Sequence, residues 1–217
     1  MSSTTSPTLQ VCRECGGGAP VDAHFCPQCS KILSLGRHGD YFSFFGLPRK
    51  LNLDAADLEQ RFRDLSRLFH PDYFYNAAPA ERRASLERSS YLNDAYRTLK
   101  SPVTRAEYLL RLEGLTTTAS ATPPGLLEEV FALNEELDEI RALRAAGAAK
   151  EELAARLERA RQPIERKRDE HAEHMQQLAA QWDGTGDRAV LEALRDRVLE
   201  RNYITNLLEG IEREMAQ

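Results

Sequence analysis

The chain has 217 residues, 41% of them hydrophobic and 29% charged, with a formal net charge of −5. That supplies core for one or two domains, but no apolar run is long enough for a membrane span. The negative balance argues against general nucleic-acid binding, and the second half is the more acidic: residues 126–217 carry 14 basic and 21 acidic side chains.

Residues 1–10, MSSTTSPTLQ, have no apolar core and no arginine. They read as a disordered tail, neither a secretory signal nor a mitochondrial transit peptide. All four cysteines follow, as Cys12-x-x-Cys15 and Cys26-x-x-Cys29. Each pair presents two sulfurs from one tight turn, and two such turns make a tetrahedral thiolate site. Gly16 permits the backbone angles such knuckles use. Without an export signal, disulfides are disfavoured. Residues 11–35 are therefore expected to form a small ribbon-like, metal-held module, because so short a segment cannot build its own core. Zn2+ is the default ion, with iron in a rubredoxin-like site as the alternative. His24 stands near Cys26, but with four thiolates available it is expected to be a bystander.

Between Asp54 and Phe69, apolar residues recur at Leu58, Phe62, Leu65 and Phe69, which is helical spacing with one buried stripe. Asp54 suits the N-cap and Asp57 the first turn. Pro71 disfavours helical geometry at His70, so the helix should end there. Pro79 suits the first position of a second helix, with Leu92, Ala95, Tyr96 and Leu99 on its core face. His70-Pro71-Asp72 thus stands in a loop capping an antiparallel helix pair. Arg63 and Arg67, one turn apart and off the apolar stripe, form a basic edge running toward it.

Residues 115–125, rich in threonine and proline, break the periodicity and read as a linker. Three helices are expected beyond it, near 126–146, 149–182 and 187–215, with breaks at Gly147 and Asp183–Gly186. Short connections favour an antiparallel three-helix bundle. Pro163 conflicts with this, since proline inside a helix should kink or split it. In the first of these helices Leu126, Val130, Leu133, Leu137 and Ile140 make the core stripe. Leu127 and Phe131 lie about a quarter to a third of a turn round. They are bordered by Glu128, Glu135 and Glu139, and an apolar strip edged by carboxylates suits a protein partner. In the third helix Val190, Leu194, Ile204, Leu208, Ile211 and Met215 suit a core, leaving Tyr203 to face outward. Leu127, Phe131 and Tyr203 would equally serve to widen the core.

The stretches DYFSFFGLP (Asp40 to Pro48), RFRDLSRLFHPDYF (Arg61 to Phe74), LNDAYRTLKSPVTRAEYLLRLEG (Leu92 to Gly114) and NEELDEI (Asn134 to Ile140) resemble the HscB family of J-domain co-chaperones of iron–sulfur cluster assembly. The Pro-x-x-Arg-Ala-x-Tyr-Leu-Leu continuation is the most specific of these. The resemblance spans about residues 40–215, with a shorter match over the cysteines. It implies a J domain at 40–114 whose His70, Pro71 and Asp72, with Arg63 and Arg67, contact a DnaK/HscA-class ATPase chaperone. It also implies a bundle at 126–217 that binds an IscU-type scaffold through Leu127, Phe131, Glu135, Glu139 and Tyr203. Glu128 departs from the family, where that position is often apolar. The metal module would be structural, or a dimerisation or docking surface.

The fold class expected is all-α: a J-domain helical hairpin and a C-terminal three-helix bundle behind a small knuckle module. The function implied is that of an adaptor without catalytic residues, nucleotide, nucleic acid or membrane as partner. The bacterial cytoplasm is the default location and the mitochondrial matrix the alternative. A general J-domain co-chaperone for other clients is the second choice. An enzyme using His70 as base and Asp72 as its orienter lacks a nucleophile at any recognisable motif. A zinc-ribbon nucleic-acid binder would need more than the few cations within 12–29, and that segment has no aromatic cluster for stacking.

Overall fold

The computed structural model describes residues 9–35, 39–116 and 124–216. Most of the expected tail and linker lies outside these residues. The chain divides into two compact units, residues 1–105 and 106–217, and the division falls inside one helix.

The first unit opens on strands β1 (Leu9–Val11) and β2 (Gly18–Pro20), paired antiparallel with Leu9 opposite Pro20. Leu9 and Gln10, placed in the tail by sequence, are thus part of this ribbon. A four-residue helix, α1 (Tyr41–Phe44), follows, capped by Asp40, whose side chain accepts from Ser43 N at 2.8 Å while Ser43 Oγ accepts from Asp40 N. Arg49 pairs with the same Asp40 carboxylate. Helix α2 (Ala55–Phe69) begins at Asp54, whose carboxylate accepts from Ala56 N and Asp57 N. It ends at Phe69, as Pro71 requires. Helix α3 (Pro79–Lys100) returns with Pro79 in its first turn. Leu58 and Phe69 of α2 pack inward with Leu92, Ala95 and Leu99 of α3, and Phe62 stacks on Tyr96 with ring centroids 4.2 Å apart. Pro102 starts a new helix, α4 (Pro102–Leu112), within which the two units divide.

The second unit holds the end of α4 and three helices: α5 (Leu127–Ala145), α6 (Lys150–Thr185) and α7 (Arg188–Met215). Gly147 and Gly186 adopt positive φ at the two connections, and Asp187 caps α7 through Ala189 N. Leu126, Val130, Leu133, Leu137 and Ile140 enter one core with Leu153, Leu157, Ile164, Ile204, Leu208 and Ile211.

Two expectations change here. Pro163 does not split α6, which runs unbroken from Lys150 to Thr185; the lost N–H bond is a local loss in a helix held by packing along its length. In α7 the buried set is Leu191, Leu194, Val198, Ile204, Leu208 and Ile211, whereas Val190 is half-buried and Met215 exposed. Glu214 takes the inward place near the C-terminus. It can do so because Arg141 and Arg144 of α5 reach it at 2.7 Å each.

Candidate functional site

The four cysteines converge. Their Sγ atoms lie within 4.8 Å of one another, with Cys12–Cys29 and Cys15–Cys26 each at 3.7 Å. A tetrahedral ion with bonds of about 2.3 Å sets sulfurs about 3.8 Å apart, so the donor set fits a metal. Two matching knuckles build it. Gly16 N donates to Cys12 O and Ser30 N to Cys26 O, both at 2.9 Å, and Gly16 and Ser30 both adopt positive φ. Backbone N–H groups of Cys29 and Gln28 aimed at Cys26 pull its thiol down to about 7, while burial and the neighbouring sulfurs push the Cys29 thiol up, so of this pair Cys26 is the one that ionises first. The module's own core is little more than Cys12, Ala19, Cys26 and Leu33. Zinc and iron fit this tetrathiolate equally.

His24 is turned away from the sulfurs into the hairpin. Its ring meets Phe44 and Phe69 edge-on, each at 4.9 Å, and its Nδ1 lies 2.8 Å from Arg88 Nη1. Burial, reinforced by the Arg88 charge, pushes it down to about 4. At neutral pH the ring is therefore uncharged, and Nδ1 accepts from the guanidinium.

Directly after Phe69, His70 and Asp72 of the His70-Pro71-Asp72 loop are exposed and Pro71 is half-buried. Pro71–Phe74 form a short 3-10 turn that the His70 side chain caps, Nδ1 accepting from Asp72 N at 3.3 Å. An open groove of about 360 Å³ brings together Phe62, Arg63, Ser66, Arg67, His70, Asp72 and Tyr73. All the residues expected there from sequence, other than Pro71, line one groove. Arg63 bonds Glu59 on its own helix and Arg67 pairs with Asp64. These pairs are exposed, so each is worth about 0–1 kcal/mol and is easily broken. Sequence reasoning missed Tyr73, which is 76% exposed with its ring 6.0 Å from that of His70.

On α5, Phe131 is 70% and Leu127 41% exposed, with Glu128 and Glu135 beside them in solvent. Two members of the expected set sit differently. Glu139 is exposed but held by Arg156 of α6 at 2.6 Å. Tyr203 is half-buried against the bundle core rather than facing freely outward, because its ring covers the edge of the apolar stripe.

No protein-family model matches the sequence. Solved structures do match. The fold is similar to human co-chaperone protein HscB over 94% of this chain and 98% of that one, with a TM-score of 0.70 and 28% identity. It is similar to the chaperone HscB from Vibrio cholerae over 82% of this chain and 99% of that one, with a TM-score of 0.57 and 31% identity.

The chain belongs to the HscB family.

The main feature of this HscB-family chain that sequence reasoning missed is Arg88. It is 2% exposed, between the module and the hairpin. Burial lowers its guanidinium to about 10, which leaves it charged at neutral pH. A signal was present: Arg88 stands four residues before Leu92, on the inward stripe of α3.

Proposed function

We propose that this chain is a co-chaperone of iron–sulfur cluster assembly that couples a DnaK/HscA-class ATPase to an IscU-type scaffold. The observation that carries the reading is the groove at the end of α2, where an exposed His70-Pro71-Asp72 loop meets a cationic edge. In this reading the groove docks on the chaperone and stimulates ATP hydrolysis, with Arg63 and Arg67 trading intrahelical carboxylates for those of the partner. The capped 3-10 turn supports that role, since a preorganised loop loses less entropy on binding. Leu127 and Phe131 anchor the scaffold, with Glu135 as an acidic contact. Glu139 contributes once Arg156 releases it, and Tyr203 presents its partly exposed edge. Holding scaffold and chaperone on one chain raises their effective concentration, so neither contact need be tight. The cysteine centre holds zinc as a structural ion. The test is steady-state ATP hydrolysis by the chaperone with this chain alone, the scaffold alone and both. The reading requires acceleration by the chain and a greater than additive effect with the scaffold. Acceleration without any scaffold effect would reduce the chain to a general J-domain co-chaperone.

A further inference from the structure

We propose that Arg88 and the cysteine module position the His70-Pro71-Asp72 loop, so that the integrity of the metal centre is read out at the end of α2. The inference rests on the proposed function and adds a regulation to the same groove.

The connection runs through Phe69, the residue immediately before His70 and fully buried. Its carbonyl accepts from Ser85 Oγ at 2.7 Å and Ser89 Oγ at 2.8 Å, both on α3. Its ring is walled by Phe44, by His24 at 4.9 Å and by Phe25 at 6.2 Å, with the Arg88 guanidinium 5.5 Å from the centroid. His24 and Phe25 belong to the module, and Phe25 is bonded directly to the ligand Cys26. Arg88 holds the module in place. Nε donates to Leu33 O at 2.8 Å, Nη2 reaches Ala23 O and Ser34 O at 3.3 Å each, and Nη1 reaches His24. These acceptors flank the second knuckle on both sides, and Leu33 N closes the loop by donating to His24 O at 3.0 Å. Lys31 and Glu81 add a second clasp at 3.0 Å.

The shape of segment 23–34 is therefore the shape of the Arg88 receptor. In a segment with so small a core, thiolate–metal bonds set that shape. Releasing the metal leaves a buried cation without acceptors, which cannot persist, and removes two of the walls around Phe69. Among the described residues the loop's other fastenings are slight, because Pro71 has no N–H and the His70 cap is exposed.

Hydrogen exchange of the full-length chain tests this without any partner. The zinc-loaded protein is compared with chelator-stripped protein and with Arg88→Met. The loop amides to follow are Tyr73, Tyr75 and Ala77, which donate to His70 O, Asp72 O and Phe74 O. Stripping should speed their exchange by about tenfold or more, leave α7 unchanged, and reverse on zinc addition. Arg88→Met should loosen the same amides while retaining its metal. Exchange in 12–29 that becomes free on stripping, with loop amides still protected, would overturn the proposal. If Arg88→Met does not fold, the stripping arm decides alone. Failure of the zinc-loaded chain to accelerate a chaperone is a separate result: it strikes at the proposed function and leaves the exchange comparison standing.

Discussion

Glu214 is buried near the end of α7 and stays charged, because Arg144 and Arg141 hydrogen-bond its carboxylate and hold it below the usual glutamate range. A carboxyl depressed in the folded state stabilises the fold above its unfolded pKa, near 4.3, and that contribution is lost as pH falls through the folded value. Glu214→Gln should therefore cost about 1–3 kcal/mol at pH 7, in the range of hydrogen bonds to charged groups. Urea unfolding should show that difference constant down to about pH 5 and shrinking below about pH 4. Arg88 is another buried charge with structural consequences. Arg88→Met is expected to cost about 3 kcal/mol by urea unfolding, whereas Arg82→Ala, on an exposed position of the same helix, should stay within about 0.5 kcal/mol. Neither buried charge was evident from composition. Both occupy inward positions of a helical stripe, where a charged residue type conceals an apolar-like placement, and both are explained by partners more than 50 residues away in the chain.

At the scale of elements, the helices with caps and regular stripes were the legible ones. Asp54, Pro71 and Pro79 fixed the ends of α2 and the start of α3, because capping and proline geometry act locally. Asp54→Ala should cost about 1 kcal/mol by thermal or urea unfolding, since its carboxylate alone satisfies two first-turn amides. The inward face of α7 was less legible. The apolar spacing starts its stripe at Val190, yet Leu191 is the residue that packs, and a one-residue offset turns a helix face by about 100°. The convergence of the cysteines followed from their spacing, whereas the docking of the module on α3 did not. Pair spacing says which atoms meet at an ion and is silent about the surface behind them. The α5 strip was legible as a pattern, but the pairing of Glu139 with Arg156 depends on which face of α6 lies alongside.

For the whole molecule, two compact units share one chain, and under the proposed function each presents one contact surface to a different protein. The second surface makes its own prediction. Leu127→Ala with Phe131→Ala should leave unfolding within about 0.5 kcal/mol of the parent, because both side chains are substantially exposed. By calorimetry, affinity for an IscU-type scaffold should fall by about 1–3 kcal/mol, as truncation of anchors does. Unchanged affinity would remove that face from the account. The central claim is that the groove at the end of α2 drives the chaperone without chemistry of its own. The most direct measurement is the ATPase rate of a DnaK/HscA-class chaperone with scaffold present, comparing the parent chain with His70→Gln. The account predicts acceleration by the parent, none by His70→Gln, and equal scaffold affinity for both. Equal acceleration by the two chains, or none by the parent, would contradict it.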